Sequence, residues 1–406
     1  MSLPLRLQKA VPWIVVLLFV GATALSMWMA TPNPTDDHFF YQKFIETLAG
    51  GKLDLSIPGF HGMNILTVPW YLITRSPLAQ IEFQMLAGIL LPLFAFLAAR
   101  SLYKSDAEGL LFAAVIAMMP FLSFSALRGW MVALYNALFF ITIWASAKQW
   151  KWWWIPWGFS VISLPFSVAL LPLLAVLAPP SKKGMLHRYR FILLGLAIPV
   201  VYVVMQFLQI GHINVGVHTE MDHSNVWQGP SRMFLNAAHA LQILFSVHNY
   251  YFPNPGRTGD GNMLQTTPVL IFLGLFALLS PKEFFKKRAL PLALLLGAII
   301  GIGLNVALDH MDHFYMETGI FFVILAALPV LRKYPLWLPL VLATLHFQWF
   351  YFSLQHGAFF QLDWWFFAVP AVVDAVFVLW CLANWKAVWG RLTGVFPLSS
   401  LTDNGA

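Results

Sequence analysis

Residues Val11–Ala30 read VPWIVVLLFVGATALSMWMA, and Pro34–Tyr41, a few positions on, read PTDDHFFY. The first run carries no charge. At 1.5 Å per helical residue its roughly 20 positions reach about 30 Å, the thickness of a bilayer's hydrocarbon core. Arg6 and Lys9 precede it. A secretory leader has a shorter apolar stretch of about 7–15 residues, so the run reads as an uncleaved first membrane helix. The second stretch sets two adjacent carboxylates just past the end of that helix. Together the two predict a helix that crosses a membrane and delivers acid–base groups to its far face.

The rest of the chain extends the pattern. It is 59% hydrophobic and 10% charged, with a mean hydropathy of +0.72. A soluble domain carries about 25% charge, so so few charges cannot cover a water-facing surface and lipid is the expected solvent. The 18 Trp and 36 Phe suit interfacial belts. The one cysteine, Cys381, lies in an apolar run and excludes a disulfide within the chain. The net charge of +7 is no sign of a nucleic-acid partner, because the basic residues sit in short loops between apolar runs.

Spans are expected at about 11–30, 80–99, 108–125, 130–147, 191–209, 266–280, 289–308, 314–331, 335–353 and 365–385. The stretch 152–178 is interrupted by Pro156, Pro165 and Pro172, and proline breaks a helical ladder. It reads either as one kinked span or as a hairpin of two short helices. Loop charge favours the hairpin. With the N-terminus in the cytoplasm, only Lys43, Lys52, Arg75, Arg128, Arg232 and Arg257 of the 24 basic residues fall outside, as the positive-inside rule requires. This holds only if 152–178, flanked by Lys151 and Lys182, begins and ends inside. The expected fold is therefore an all-α integral membrane bundle of about 12 crossings. Residues 1–391 form one transmembrane domain, and 392–406 a short cytoplasmic tail. There is a large first extracytoplasmic loop over 31–79 and a second over about 210–265. Met233–His248 in the second loop reads as an interfacial helix.

Of the 12 histidines, all but His187 and His346 fall at or near the outer face, and most carboxylates join them. Three clusters stand out. In Thr35-Asp36-Asp37-His38, Thr35 can cap a helix through Ala49, with Phe40, Phe44, Ile45 and Leu48 spaced as one face against the membrane. Capping accounts for one carboxylate. Two adjacent ones raise each other's proton affinity, which suits a general base. The second cluster, Asp309-His310-Met311-Asp312-His313-Phe314-Tyr315-Met316-Glu317, tops a short outer turn, and Glu317 enters the next span, where a carboxylate implies a cavity. Alternatively it is a polar hairpin tip. The third holds His218, Glu220, Asp222 and His223, ligand types that could bind a divalent metal at a spacing that matches no firm motif. Outer arginines could meet a lipid-linked phosphate or simply snorkel at the interface.

The order of these features resembles the GT-C superfamily of integral membrane glycosyltransferases. A first span is followed by Pro34-Thr35-Asp36-Asp37-His38-Phe39-Phe40-Tyr41, then Gly50-Gly51-Lys52-Leu53-Asp54, Pro58-Gly59-Phe60-His61-Gly62 and Pro69-Trp70-Tyr71. The resemblance implies transfer of a sugar, with inversion, from a polyprenyl-phosphate donor to a glycolipid, polysaccharide or protein acceptor at the outer face of a bacterial inner membrane. It makes Asp36 and Asp37 the catalytic pair. It gives His38, His61, Arg128, Arg232, Arg257, His310, His313, Tyr315 and Glu317 as substrate contacts, and names no cofactor with certainty beyond a divalent metal that the third cluster could hold. The chain departs from many relatives in having no soluble C-terminal domain and no late Arg-Tyr pair, with His313-Phe314-Tyr315 standing near that place. Two other classes compete: a transporter or flippase of a lipid-linked saccharide, and an outer-face acyltransferase or polysaccharide ligase.

Overall fold

The computed structural model describes residues 5–34, 36–57, 61–180, 182–212, 268–286, 288–306 and 313–384, with the isolated positions 233, 234, 237 and 238. The described residues are helical with connecting turns and contain no strand. The helices are α1 (Leu5–Met29), α2 (Asp36–Ala49), α3 (His61–Thr74), α4 (Ala79–Tyr103), α5 (Asp106–Ala117), α6 (Pro120–Phe124), α7 (Val132–Ala147), α8 (Trp154–Ser163), α9 (Leu171–Leu177) and α10 (Met185–Ile210). From residue 268 onward come α11 (Pro268–Leu279), α12 (Ala289–Val306), α13 (His313–Lys333), α14 (Leu338–Phe360) and α15 (Ala368–Ala383).

Four helical segments are long and apolar enough to cross a membrane: Lys9–Met29, Ala79–Tyr103, Met185–Ile210 and Trp364–Ala383. Two bent pairs raise the number to six, with a 66° break between α5 and Pro120–Arg128 and a 116° break between Glu317–Lys333 and Pro335–Leu354. Proline at 120 and 335 supplies each break by removing a backbone donor. By length and composition the described residues thus hold four to six candidate spans, which does not establish the expected count of about twelve. α7, α11, α12 and the 165–177 segment are apolar but shorter.

The stretch 152–178 is a hairpin. α8 ends at Leu164, whose backbone is extended, and a 3-10 turn over Pro165–Leu170 leads into α9. Trp157 Nε1 donates to the Ser167 carbonyl at 3.1 Å, and the Ser160 and Ser167 hydroxyls are hydrogen-bonded. In a continuous helix ten residues would span about 15 Å. Gln149 Nε2 donates to the Leu177 carbonyl at 2.7 Å, so the stretch starts and finishes at the same level. The 10-residue α8 reaches only about 15 Å. The arms enter the bundle and return without crossing it. Polar backbone left unpaired at the break is tolerable because protein surrounds it.

Two further expectations change. The first long loop contains α3, a 14-residue helix of about 21 Å that was not among the expected elements. The apolar face of α2 packs on protein, because Phe44 and Ile45 are fully buried and Phe44 stacks on His61 with ring centroids 4.3 Å apart. Of the Met233–His248 segment only 233, 234, 237 and 238 are described, and these are helical.

α7 and α13 form the centre. Every residue from Glu317 to Leu331 is buried, as is every residue from Met131 to Phe140. Close backbone approach holds the neighbours of α13. A Cβ on Gly274 of α11 would lie 2.2 Å from the Val323 carbonyl oxygen, and one on Gly301 of α12 would lie 2.7 Å from the Gly319 nitrogen. Gly297 and Gly301 are spaced four apart on the face that meets Phe322 and Gly319. Small residues at that spacing let membrane helices approach.

The bundle has two unlike ends. At one, Ser26 Oγ donates to the Trp365 carbonyl at 3.0 Å and Gln80 Nε2 to the Gly129 carbonyl at 2.7 Å. At the other, Arg100 pairs with Asp106 and lies over the Trp13 ring at 5.2 Å, and Arg332 pairs with Glu108 at 2.8 Å. We call these the polar end and the basic end. Replacing Gly301 with leucine forces α12 off the Gly319 backbone, which cannot yield as a side chain can. The expected outcome is a loss of about 1–3 kcal/mol or more, read as a lower melting temperature in detergent. Gly303→Leu, whose Cβ meets nothing within 4 Å, should leave it near wild type.

Candidate functional site at the polar end

The chain leaves α1 and is stitched down on both sides before α2 begins. The Thr31 N–H donates to the Phe360 carbonyl at 3.1 Å and the Asn33 N–H to the Leu127 carbonyl at 2.9 Å. α2 then starts at Asp36, so Asp36 and Asp37 occupy its first turn, where the helix dipole favours negative charge. The structure describes their backbone and not their side chains.

His38 fixes that turn in place. It is buried, and its Nδ1–H donates to Gln80 Oε1 at 2.9 Å. The amide of Gln80, at the start of α4, donates in turn to the Gly129 carbonyl at 2.7 Å. Gly129 has φ +79, and a Cβ there would lie 2.8 Å from His38 Cβ. The first turn of α2 therefore touches the Arg128-Gly129-Trp130 turn. Arg128 is half-buried, with its guanidinium over the Trp130 ring at 5.2 Å. The structure brings the backbone of the acidic pair, His38 and Arg128 to one place.

One turn further along α4, Gln84 extends the polar layer into the bundle. Its Oε1 accepts from the Leu134 N–H at 2.9 Å, satisfying one of the free amides at the start of α7. The next residues of α7 meet α13. The Tyr135 hydroxyl is 2.6 Å from Thr318 Oγ1, and Asn136 Nδ2 donates to Glu317 Oε2 at 3.0 Å. Glu317 thus sits in a buried polar cluster, as a costly intramembrane carboxylate should. Gln84 Nε2, Asn136 Oδ1 and both side-chain polar atoms of the fully buried Asn64 have no hydrogen-bond partner among the described residues. Such atoms call for water or a polar ligand.

His61 has a different place. It is fully buried, its Nε2–H donates to the Ile57 carbonyl at 2.7 Å, and its Nδ1 accepts from the Tyr202 hydroxyl at 2.5 Å. Tyr202 accepts from Gln206 Nε2 at 2.8 Å. Both ring nitrogens are occupied, so His61 is a strut joining α3 to α10 rather than the substrate contact expected of it. Burial pushes its pKa below the ordinary histidine value.

The remaining candidates are placed unevenly. His313 and Tyr315 fall in the first turn of α13, within one turn of Glu317, with side chains that are not described. Arg232, Arg257, His310 and the metal candidates His218, Glu220, Asp222 and His223 lie outside the described residues. Among the described residues no group of three or more His, Cys, Asp and Glu could hold a metal. Gln80, Gln84, Asn64 and Asn136 were not singled out from the sequence. Two amides four apart in an apolar run, Gln80 and Gln84, were the available signal, since that spacing sets both on one helix face.

No protein-family model, no curated protein and no solved structure matches the chain.

The His61 strut gives a pH prediction. Its folded pKa is depressed, so below about pH 6.5, the ordinary value, the unfolded chain takes up a proton that the folded chain resists. Its stabilising effect is full above that pH and is lost as pH falls toward the folded value. The melting temperature in detergent should drop between about pH 7 and 5, and His61→Gln should flatten part of that drop. Superimposable pH profiles for the two proteins would contradict it.

Proposed function

We propose that the chain is a membrane glycosyltransferase of the GT-C kind, transferring a sugar from a polyprenyl-phosphate donor to an acceptor at the polar end of the bundle. The single observation that supports it most is the meeting of the first turn of α2, which carries Asp36 and Asp37, with the Arg128 turn. Glycosyl transfer needs a base for the acceptor hydroxyl and a cation for the leaving phosphate, held close together. In this reading one carboxylate of the pair takes the acceptor proton, and Arg128 faces the phosphate on which negative charge grows. The leaving group is the polyprenyl phosphate, and inversion follows from direct displacement. Glu317 and the unpaired Gln84 Nε2 and Asn136 Oδ1 suit sugar hydroxyls, which donate and accept together. His38 and Gln80 are positioning residues.

The topology proposed with this function has α1, α4, α5 with its continuation, α7 and α10–α15 crossing a bacterial inner membrane, and the α8–α9 hairpin entering and returning. That is ten crossings; the sequence reading reached about twelve by counting the hairpin's two arms as crossings. Both termini then lie in the cytoplasm with the basic end, and the polar end faces the periplasm. A divalent metal, if used, would come from the 218–223 cluster. A second reading, a carrier of a lipid-linked saccharide, draws on the re-entrant hairpin, since interrupted helices line many transport paths. Its weakness is that the acidic pair sits at one end of the bundle rather than at mid-membrane.

The test is transfer of label from a polyprenyl-phosphate sugar by membranes carrying each variant. Asp36→Asn or Asp37→Asn, whichever removes the base, should lower the rate by about 10²–10⁴-fold. Arg128→Gln should cost about 10²-fold or more, with Arg128→Lys recovering part. Wild-type rates in both Asn variants would refute the assignment. Label that changes leaflet without changing chemical form would support the carrier.

A further inference from the structure

A cavity of about 500 Å³ opens at the basic end, away from the site above. Sites for drug-sized ligands run roughly 300–1,000 Å³. Its walls come from α1, α5, the bend between α13 and α14, and α15. They are almost wholly apolar, with Phe19, Ala114 and Val373 at the deep end. Arg332 and Asn384 stand at its mouth.

The dimensions are informative. Val373 to Asn384 is eleven helical steps, about 16 Å along α15. One leaflet of hydrocarbon is about 15 Å deep, half of the whole core. In the topology proposed above, a groove of that length reaches from the basic-end surface to about the middle of the membrane. An acyl chain matches that length and the apolar lining.

Charge sets the headgroup. The Arg332 side chain is 58% exposed, and its Nη1 donates to Glu108 Oε1 at 2.8 Å. A guanidinium has five N–H donors, and its planar fork suits a phosphate. Lys333 follows it in the chain, and Lys9 is exposed at the same end. Lys333 is itself paired with Glu283 at 3.4 Å, so Arg332, with N–H donors beyond the one given to Glu108, is the cation that lines the mouth.

We propose that this groove binds an anionic phospholipid of the leaflet at the basic end, one acyl chain along α15 and α5 and the phosphate at Arg332. The site is distinct from the transfer site and does not rest on the proposed reaction. The bound lipid packs against α1 and against α15, the last described helix.

Cys381 lines the groove and is the only thiol in the chain, so it reports occupancy directly. The experiment measures maleimide alkylation of Cys381 in the full-length protein in neutral detergent. Phosphatidylglycerol, phosphatidylcholine or glycerol phosphate is added in separate arms. Phosphatidylglycerol should slow alkylation about tenfold at about ten times its Kd. Phosphatidylcholine should protect far less at equal concentration, and glycerol phosphate, which has no tail, should not protect. Arg332→Gln combined with Glu108→Gln keeps a neutral hydrogen bond, avoids stranding a buried carboxylate, and should erase the headgroup preference. Ala114→Phe should fill the deep end and weaken protection by both lipids. An unchanged lipid-free labelling rate checks that the Arg332/Glu108 double variant is folded. Equal protection by the two lipids, protection by glycerol phosphate alone, or none at all would overturn the proposal.

Discussion

Gln80 ties the structure together at the point where function is proposed. It stands at the first turn of α4, accepts from the ring of His38 and donates to the carbonyl of Gly129. Three segments far apart in sequence meet through one side chain: the helix after the first span, the start of the second long helix, and the turn before α7. In lipid an unpaired amide costs several kcal/mol, so the pairs that do form, such as His38–Gln80–Gly129, set the register of the bundle. With the Asn33 N–H on the Leu127 carbonyl, that link fixes the first turn of α2 against the Arg128 turn.

The same constraint shapes the centre. α7 and α13 are enclosed by protein and meet through Asn136–Glu317 and Tyr135–Thr318. A carboxylate placed there is tolerated only because an amide faces it. Glycines at 274, 301 and 319 let backbones approach where apolar side chains alone would hold them apart. Packing and polar pairing divide the work: small residues set the distances between helices, and buried amides set which residues lie opposite one another.

Much of this arrangement was legible in the sequence. The uncharged Val11–Ala30 run gave the first span. Lys151 and Lys182 flanking the proline-broken stretch gave the hairpin, which Gln149 and Leu177 close. The acidic start of α2 was visible as well. The crossing number was not, because a count of apolar runs cannot tell a helix that spans from an arm that enters and returns. Nor was the role of His61: a histidine in a loop stretch looks available, and only the fold shows Tyr202 and Ile57 holding both nitrogens. The amides at 64, 80, 84 and 136 were hidden for a related reason. A polar residue in an apolar run gains meaning only once its facing helix is known.

The central claim is that sugar leaves its lipid carrier at the polar end, with the basic end on the other side of the membrane. It is tested most directly in sealed vesicles of known protein orientation that contain a labelled polyprenyl-phosphate sugar. The label's chemical form is followed while water-soluble acceptor is supplied to one side at a time. The account predicts new glycosidic product only when the acceptor meets the polar end. Product formed equally from either side, or donor that crosses the bilayer with its sugar intact, would contradict it.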